Sequence, residues 1–244
     1  MEAFDRLEST NLRASQAPSP WRVVVAEYQD GGRGRLGRAW TTTPFTSLAA
    51  SAVVPALTSA PGWLPLLAGL AAAEAVGQVT EAAGHPVTAA LKWPNDVIVP
   101  ADGDRKLAGL LCVLAPRGVV VGLGLNVESE RSDLPIDTAT SLRACGAPGI
   151  DREVLLTRWL TLLAGRHAQW RVDPDGVRTA YRQSCVTIGR PVEVHLPGGV
   201  LIRGAAAAVD DDGRLLVDTD DGPYAAAAGD VVHVRSQGGG HGPV

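Results

Sequence analysis

The chain has 244 residues, is 45% hydrophobic and carries a formal net charge of -4. That length allows one large domain, or a medium domain with a small appendage, each with a buried core. The charge supplies no global basic field for nucleic acid. The opening Met1-Glu2-Ala3-Phe4-Asp5 lacks the apolar run of a signal peptide. Its three cysteines have no metal-type spacing, so a cytoplasmic protein with reduced thiols is expected.

Residues 21–27 (WRVVVAE) are β-branched and predict a buried strand. A glycine-arginine loop follows over 30–38, and residues 45–55 predict a second strand. Pro61-Gly62 opens a predicted helix over 63–83, which Gly84 and Pro86 stop. It is apolar and Ala-rich, but Glu74 and Gln78 interrupt it, so it reads as a core helix and not a bilayer span. Residues 87–91 predict a strand, and 97–99 and 107–114 form a hairpin candidate around the polar turn at 100–105. Residues 119–127 predict a further strand and 128–150 a loop. Asp151 is a candidate N-cap for a helix to Trp170, with Val154, Leu155, Trp159, Leu162 and Leu163 at helical spacing.

After Arg182 the pattern changes to short strands, at 186–194, 200–209, 214–218 and 231–235, separated by Gly-containing turns. This predicts a small antiparallel barrel. The expected organisation is an α+β body over 1–182, a barrel over 186–236 and a Gly-rich disordered tail over 237–244.

Five motifs carry chemistry. Gly32-Arg33-Gly34-Arg35-Leu36-Gly37-Arg38 contains a literal G-x-G-x-x-G, but no helix or βαβ unit follows, so the dinucleotide-binding reading fails on context. Three arginines within six residues on a glycine-rich backbone instead suit a phosphate or carboxylate, which would neutralise and order the loop. A solvated basic turn, or a single RGG-like segment for RNA, is the competing reading.

Lysine is rare here: two lysines, Lys92 and Lys106, stand against twenty arginines. A compact ammonium fits between crowded anionic oxygens where a guanidinium fork does not. Lys92-Trp93-Pro94-Asn95-Asp96 offers an amide and a carboxylate suited to a phosphate and a Mg²⁺ ion, or a plain turn. Gly109 follows Lys106 closely and leaves space beside it. Gly122 and Gly124, within Gly122-Leu123-Gly124-Leu125-Asn126, weaken a strand unless something must approach its backbone. Ser9-Thr10-Asn11 supplies three hydrogen-bonding side chains, or a helix N-cap.

In order and spacing, these strings, together with Glu8, Ala26-Glu27-Tyr28-Gln29 and Trp40, resemble the biotin protein ligase family. The resemblance spans about residues 5–127. It implies a mixed-sheet, class II synthetase-like catalytic domain followed by a small SH3-like barrel. It also implies a two-step reaction, in which biotin and ATP·Mg²⁺ give biotinyl-5′-AMP and pyrophosphate, and the acyl group then passes to a lysine of the biotin carboxyl carrier domain of an acyl-CoA carboxylase. By the same resemblance, Ser9, Thr10, Asn11 and Gln29 hold the biotin head group. Gly32, Arg33, Gly34 and Arg35 close over biotin and the adenylate phosphate, and Lys106 sits at the reacting carboxylate. Gly109, Gly122 and Gly124 leave room for the biotin chain. Arg35, Arg38, Trp40, Asn95, Asp96, Lys106 and Asn126 serve the nucleotide, Trp40 flanking the adenine and Asp96 meeting the metal.

The sequence departs from the pattern between Asn11 and Trp21, where Pro18 and Pro20 stand in place of an expected helix. Only eight residues precede Ser9, so a ligase without operator-DNA binding is expected; no membrane partner is expected, and the family resemblance implies a monomer or homodimer. Lipoate or octanoate ligation is the nearest alternative.

Overall fold

The computed structural model describes residues 1–41 and 43–234. The expected tail over 237–244 lies outside the described residues.

The first domain is one seven-stranded sheet with helices on both faces. In chain order its strands are β1 (Glu2–Leu7), β2 (Val23–Gln29), β3 (Ser47–Val54), β4 (Ala90–Lys92), β5 (Asp96–Val99), β6 (Arg105–Ala115) and β7 (Gly118–Asn126). The spatial order is β1-β2-β3-β7-β6-β5-β4. Only β1 and β2 run parallel among the paired strands. Helix α1 (Thr10–Gln16) covers one face, and α2 (Trp63–Ala82), α3 (Arg152–Trp170) and α4 (Pro174–Ser184) lie on the other side.

Every residue of β3 is buried, because the strand is central and covered on both faces. Its alternation divides the work. Leu48, Ala50, Ala52 and Val54 join the main core with Trp63, Leu67, Leu110, Leu123 and Leu125. Val53 joins a second, small cluster with Ala14, Val24 and Val120 under α1. The α1 face thus has little apolar filling, and small or polar residues occupy the rest of it.

Helix α2 is the one helix among the described residues long and apolar enough to cross a membrane, but 78% of its most apolar 18-residue window is buried. It is a core helix, as its position against the sheet requires. Its end follows the sequence signal: Gly84 adopts a left-handed φ of +80°, and the Gly84 and His85 N–H groups donate back to Glu81 and Thr80 carbonyls. Asp151 caps α3, accepting from the Glu153 and Val154 N–H groups.

The second domain is a five-stranded antiparallel sheet of β8 (Pro191–His195), β9 (Leu201–Val209), β10 (Leu215–Thr219), β11 (Gly222–Ala226) and β12 (Asp230–His233). Its order is β11-β10-β9-β8-β12. The β9–β10 turn plugs into the first domain. Trp63 Nε1 donates to Asp211 O and Trp93 Nε1 to Gly213 O, both at 3.0 Å. A Cβ on Gly62 would lie 2.4 Å from Asp212 O, so the glycine permits this close seating. The core continues across the junction through Val192, Val194, Ala206 and Val217.

Several expectations need correction. Strand β2 starts at Val23, not Trp21, which takes a left-handed φ of 63°. β4 is only three residues long and starts at Ala90, so most of the strand expected over 87–91 is loop. The first body runs past 182, because α4 continues to Ser184, and β8 begins at Pro191 and not at 186. Strands β1 and β11 and helix α4 were not expected. α1 forms despite the prolines: Ser9 caps it and it ends at Gln16, before Pro18.

Candidate active site

The α1 face of the sheet holds the site, and strand register explains why. Ser51 pairs with Gly122 and Ala49 with Gly124 across β3 and β7. Gly122 pairs with Leu111 and Gly124 with Gly109 across β7 and β6, and Gly109 pairs with Asp96. Directly paired residues share a face. A strip of small residues therefore crosses four strands, with Ser51 at one end and Asp96 at the other.

At the Ser51 end the groups are neutral. Ser9, as the α1 cap, turns the chain so that Thr10 and Asn11 aim at the sheet. The Thr10 N–H donates to Gln29 Oε1 at 2.8 Å, and the Thr10 hydroxyl lies 3.1 Å from the same oxygen. Asn11 Nδ2 donates to Leu111 O at 3.1 Å. The fully buried Ser51 hydroxyl lies 2.7 Å from Thr10 Oγ1 and 2.6 Å from Asn11 Oδ1.

At the Asp96 end the groups are charged. Lys106 Nζ pairs with Asp96 Oδ1 at 2.6 Å and sits 5.7 Å from the centre of the Trp40 ring. Asn95 is stitched to β6 by Nδ2, which donates to Leu110 O at 2.8 Å. Its Oδ1 accepts from Arg35 at 3.3 Å. Burial pulls the Arg35 guanidinium below its usual value, against the opposing pull of Asp96. Burial likewise lowers Lys92, again opposed by Asp96, with Lys106 adding repulsion. Lys92 and Asp96 are paired across β4 and β5, so both rare lysines face one carboxylate.

The glycine-arginine loop closes on itself above this strip. Arg33 bridges Ala39, Gly34 N–H donates to Arg38 O, and Trp40 N–H donates to Gly32 O. A Cβ on Gly32 would lie 2.5 Å from Trp40 O, which is why the position needs glycine. Arg33 is exposed, and Arg38 reaches Asp230 of β12 in an ion pair.

The structure thus brings together Thr10, Asn11, Gln29, Gly32, Gly109, Gly122, Gly124, Arg35, Trp40, Asn95, Asp96 and Lys106. Some roles shift. The space over Gly122 holds the Asn11 side chain, since an added Cβ would fall 2.2 Å from Asn11 Oδ1. The space over Gly124 holds the Trp40 indole, 2.4 Å from such a Cβ. Trp40 Nε1 is buried there without a partner. Asn126 is buried and donates to Thr140 O at 2.9 Å, a bracing position. Trp93 is buried in the domain junction, its N–H donating to Thr187 Oγ1 at 3.1 Å. No group of three metal-ligating side chains occurs among the described residues. Sequence reasoning missed Ser51, an ordinary residue in a run of small ones, and Asp230, which only tertiary contact brings near.

Residues 3–128 match the Biotin/lipoate A/B protein ligase family, and residues 187–234 match the Biotin protein ligase C terminal domain. The second domain is accordingly SH3-like. The chain is 40% identical to a biotin–[acetyl-CoA-carboxylase] ligase of Mycobacterium tuberculosis, over 91% of this chain and 82% of that one. It is 29% identical to the bifunctional ligase/repressor BirA of Bacillus subtilis, over 82% of this chain but only 62% of the relative. Its structure is similar to that of the biotin protein ligase from Aquifex aeolicus in complex with biotin and ATP, with a TM-score of 0.80 and 25% identity over 96% of this chain and 98% of that one.

Proposed function

The chain belongs to the biotin/lipoate A/B protein ligase family, and we propose that it is an ATP-dependent biotin protein ligase. Biotin and ATP are its substrates, biotinyl-5′-AMP and pyrophosphate its first products. A lysine of a biotin carboxyl carrier domain is the acceptor in the second step.

The observation that carries this reading is the polarity of the strip. One end presents neutral donors and acceptors (Thr10, Asn11, Gln29), and the other presents Lys106, Arg35, Asn95 and Asp96. Biotin has a ureido ring at one end and a carboxylate at the other. A lipoyl dithiolane offers no conventional hydrogen-bonding group to the first end, and an unmatched polar site rejects such a ligand. This favours biotin over lipoate.

In this reading Thr10, Asn11 and Gln29 hold the ureido ring, while Gly32 and Gly34 let the loop backbone approach. Lys106 turns from Asp96 to the biotin carboxylate and the α-phosphate. The attack joins two anions, so positioned positive charge is the protein's main contribution. Arg33 and Arg35 close over the mixed anhydride and exclude water from it. Trp40 and Arg38 flank the nucleotide. Mg²⁺ arrives with ATP, held mainly by phosphate oxygens, and needs only one or two protein carboxylates; Asp96, freed from Lys106, suits that role. No DNA-binding role is proposed, because the loop cations are engaged by the ligand. A salt-sensitive, sequence-specific DNA shift by this chain would overturn that part.

The test is pyrophosphate release by the purified chain with ATP·Mg²⁺ and either biotin or lipoate, followed by mass analysis of an added carrier domain. Biotin-dependent release and a biotinylated carrier are expected. Lipoate-dependent release without a biotin response would reverse the assignment.

A further inference from the structure

We infer that Ser51 is a positioning residue for the head-group end of the site, bracing Asn11 and setting the proton direction of the Thr10 hydroxyl. The inference rests on the biotin reading above.

Ser51 sits in the middle of β3, is 0% exposed, and belongs to none of the strings that carry the family resemblance. Its neighbours along the strand, Ala49, Ala50, Ala52 and Val53, are all apolar. A hydroxyl in such a strand costs stability unless it is hydrogen-bonded. Ser51 is bonded twice, to Thr10 Oγ1 at 2.7 Å and to Asn11 Oδ1 at 2.6 Å. Gly122 faces it across the strand pair, which leaves the room that Asn11 needs to reach it.

Proton counting gives the contacts a direction. A serine hydroxyl carries one proton, so Ser51 cannot donate to both neighbours. With Asn11 Nδ2 donating to Leu111 O, Asn11 Oδ1 can only accept, and the Ser51 proton goes to it. The Thr10 proton then has two acceptors, Ser51 Oγ at 2.7 Å and Gln29 Oε1 at 3.1 Å; the shorter contact takes it, since Gln29 Oε1 already receives the Thr10 N–H at 2.8 Å. Thr10 keeps its backbone N–H on Gln29 Oε1. Two consequences follow for a ligand. The Thr10 oxygen, its proton turned towards β3, is left as an acceptor, which a ureido N–H requires. The Gln29 Oε1 is held by the backbone, so Nε2 is the part of that amide left to donate to a ureido carbonyl. Ser51 therefore relays the Asn11 orientation, which the Leu111 carbonyl fixes, to the Thr10 hydroxyl, which could otherwise turn either way. Fixing that direction before binding removes a reorganisation cost from biotin capture.

The test compares Ser51→Ala and Ser51→Cys with the wild type by calorimetry and by initial rates of pyrophosphate release, varying biotin and ATP separately. Both replacements preserve side-chain volume closely enough to keep the strand packed. Ser51→Ala should raise the KM and Kd for biotin by about ten- to a hundredfold, the loss expected for an unpaired buried polar group. kcat at saturating biotin and the KM for ATP should change less than about twofold. Ser51→Cys, a weak donor, should fall between the two. In a Thr10→Val background the same Ser51→Ala change should cost much less, because the partner it orients is gone. An unchanged biotin KM in a folded Ser51→Ala protein would overturn the inference and leave the ligase assignment standing. Equal falls in kcat and in both substrate affinities, tracking a lowered Tm, would make Ser51 merely structural and also overturn it. A wild-type chain that does not bind biotin would take down both.

Discussion

The two ends of the strip differ in how far their groups are already satisfied. Around Ser51 every contact is neutral and buried or part-buried, and the groups are bonded to one another. Around Lys106 the groups are charged and partly exposed, with side-chain exposures of 32% for Lys106 and 22% for Asp96. A neutral network holds one geometry and suits recognition. A half-exposed ion pair exchanges partners at modest cost, since such pairs are weak in partly solvated surroundings. Recognition and chemistry are thereby separated on one sheet face, and substitutions should separate them too.

The largest expected effect is at the charged end. Lys106→Ala should cut the rate of adenylate formation by about 10²–10³-fold while Tm stays nearly constant. Lys106→Arg should not restore it, because the planar fork does not fit where a point charge sits beside Trp40. Near-normal turnover in either variant would erase the distinction between the ends. Next in size is the loop. Arg35→Ala removes a charge that also contacts Asn95. Biotinyl-AMP should then leave about ten- to a hundredfold faster in a stopped-flow trace, the range for a lost charge-assisted hydrogen bond. Arg33→Ala should behave similarly, and such variants should label surface lysines of bystander proteins.

The ordered strings were legible because each contains an oddity that packing alone would not select: paired glycines in a strand, clustered arginines, lysine in a chain rich in arginine. The long helix and the Asp151 cap were legible because local chemistry sets them. Other features depend on partners far away in sequence. β1 is an exposed edge strand whose sequence, EAFDRL, mixes charge into its alternation. Helix α4 carried a signal, Asp173 as cap before Pro174 at the first helical position, that went unread. Trp93 stands inside a motif but serves the domain junction. Ser51 had no local signal, since its meaning lies in two side chains forty residues away.

A smaller effect sits where the ends meet. Gly124→Ala places a methyl 2.4 Å from the Trp40 indole. Such overpacking costs about 1–3 kcal/mol, and displacing Trp40 should raise the KM for ATP several-fold with a shifted tryptophan emission. Unchanged emission and KM would mean that Trp40 has an alternative seat. The smallest effect concerns the support beneath the charged end, where His233 of β12 lies 3.1 Å from Thr187 Oγ1 and 3.2 Å from Arg190. Burial first, then Lys92 and Arg190, holds His233 down from 6.5 to about 4. Between those values the unfolded chain binds a proton that the folded chain does not. Stability should therefore fall as pH drops from about 6.5 towards 4, and be retained above that window. Thermal melts across this range should show a shallower acid slope for His233→Gln. An identical slope would assign the acid response elsewhere.

The most direct measurement is single-turnover formation of biotinyl-AMP by wild type and Lys106→Ala, with biotin binding measured on the same proteins by calorimetry. The wild type should bind biotin and form the adenylate. Lys106→Ala should still bind biotin, within about tenfold, because the neutral end is intact, but should form the adenylate at least about a hundredfold more slowly. Adenylate formed at a near-wild-type rate without Lys106, or a wild type that neither binds biotin nor forms the adenylate, would contradict the account.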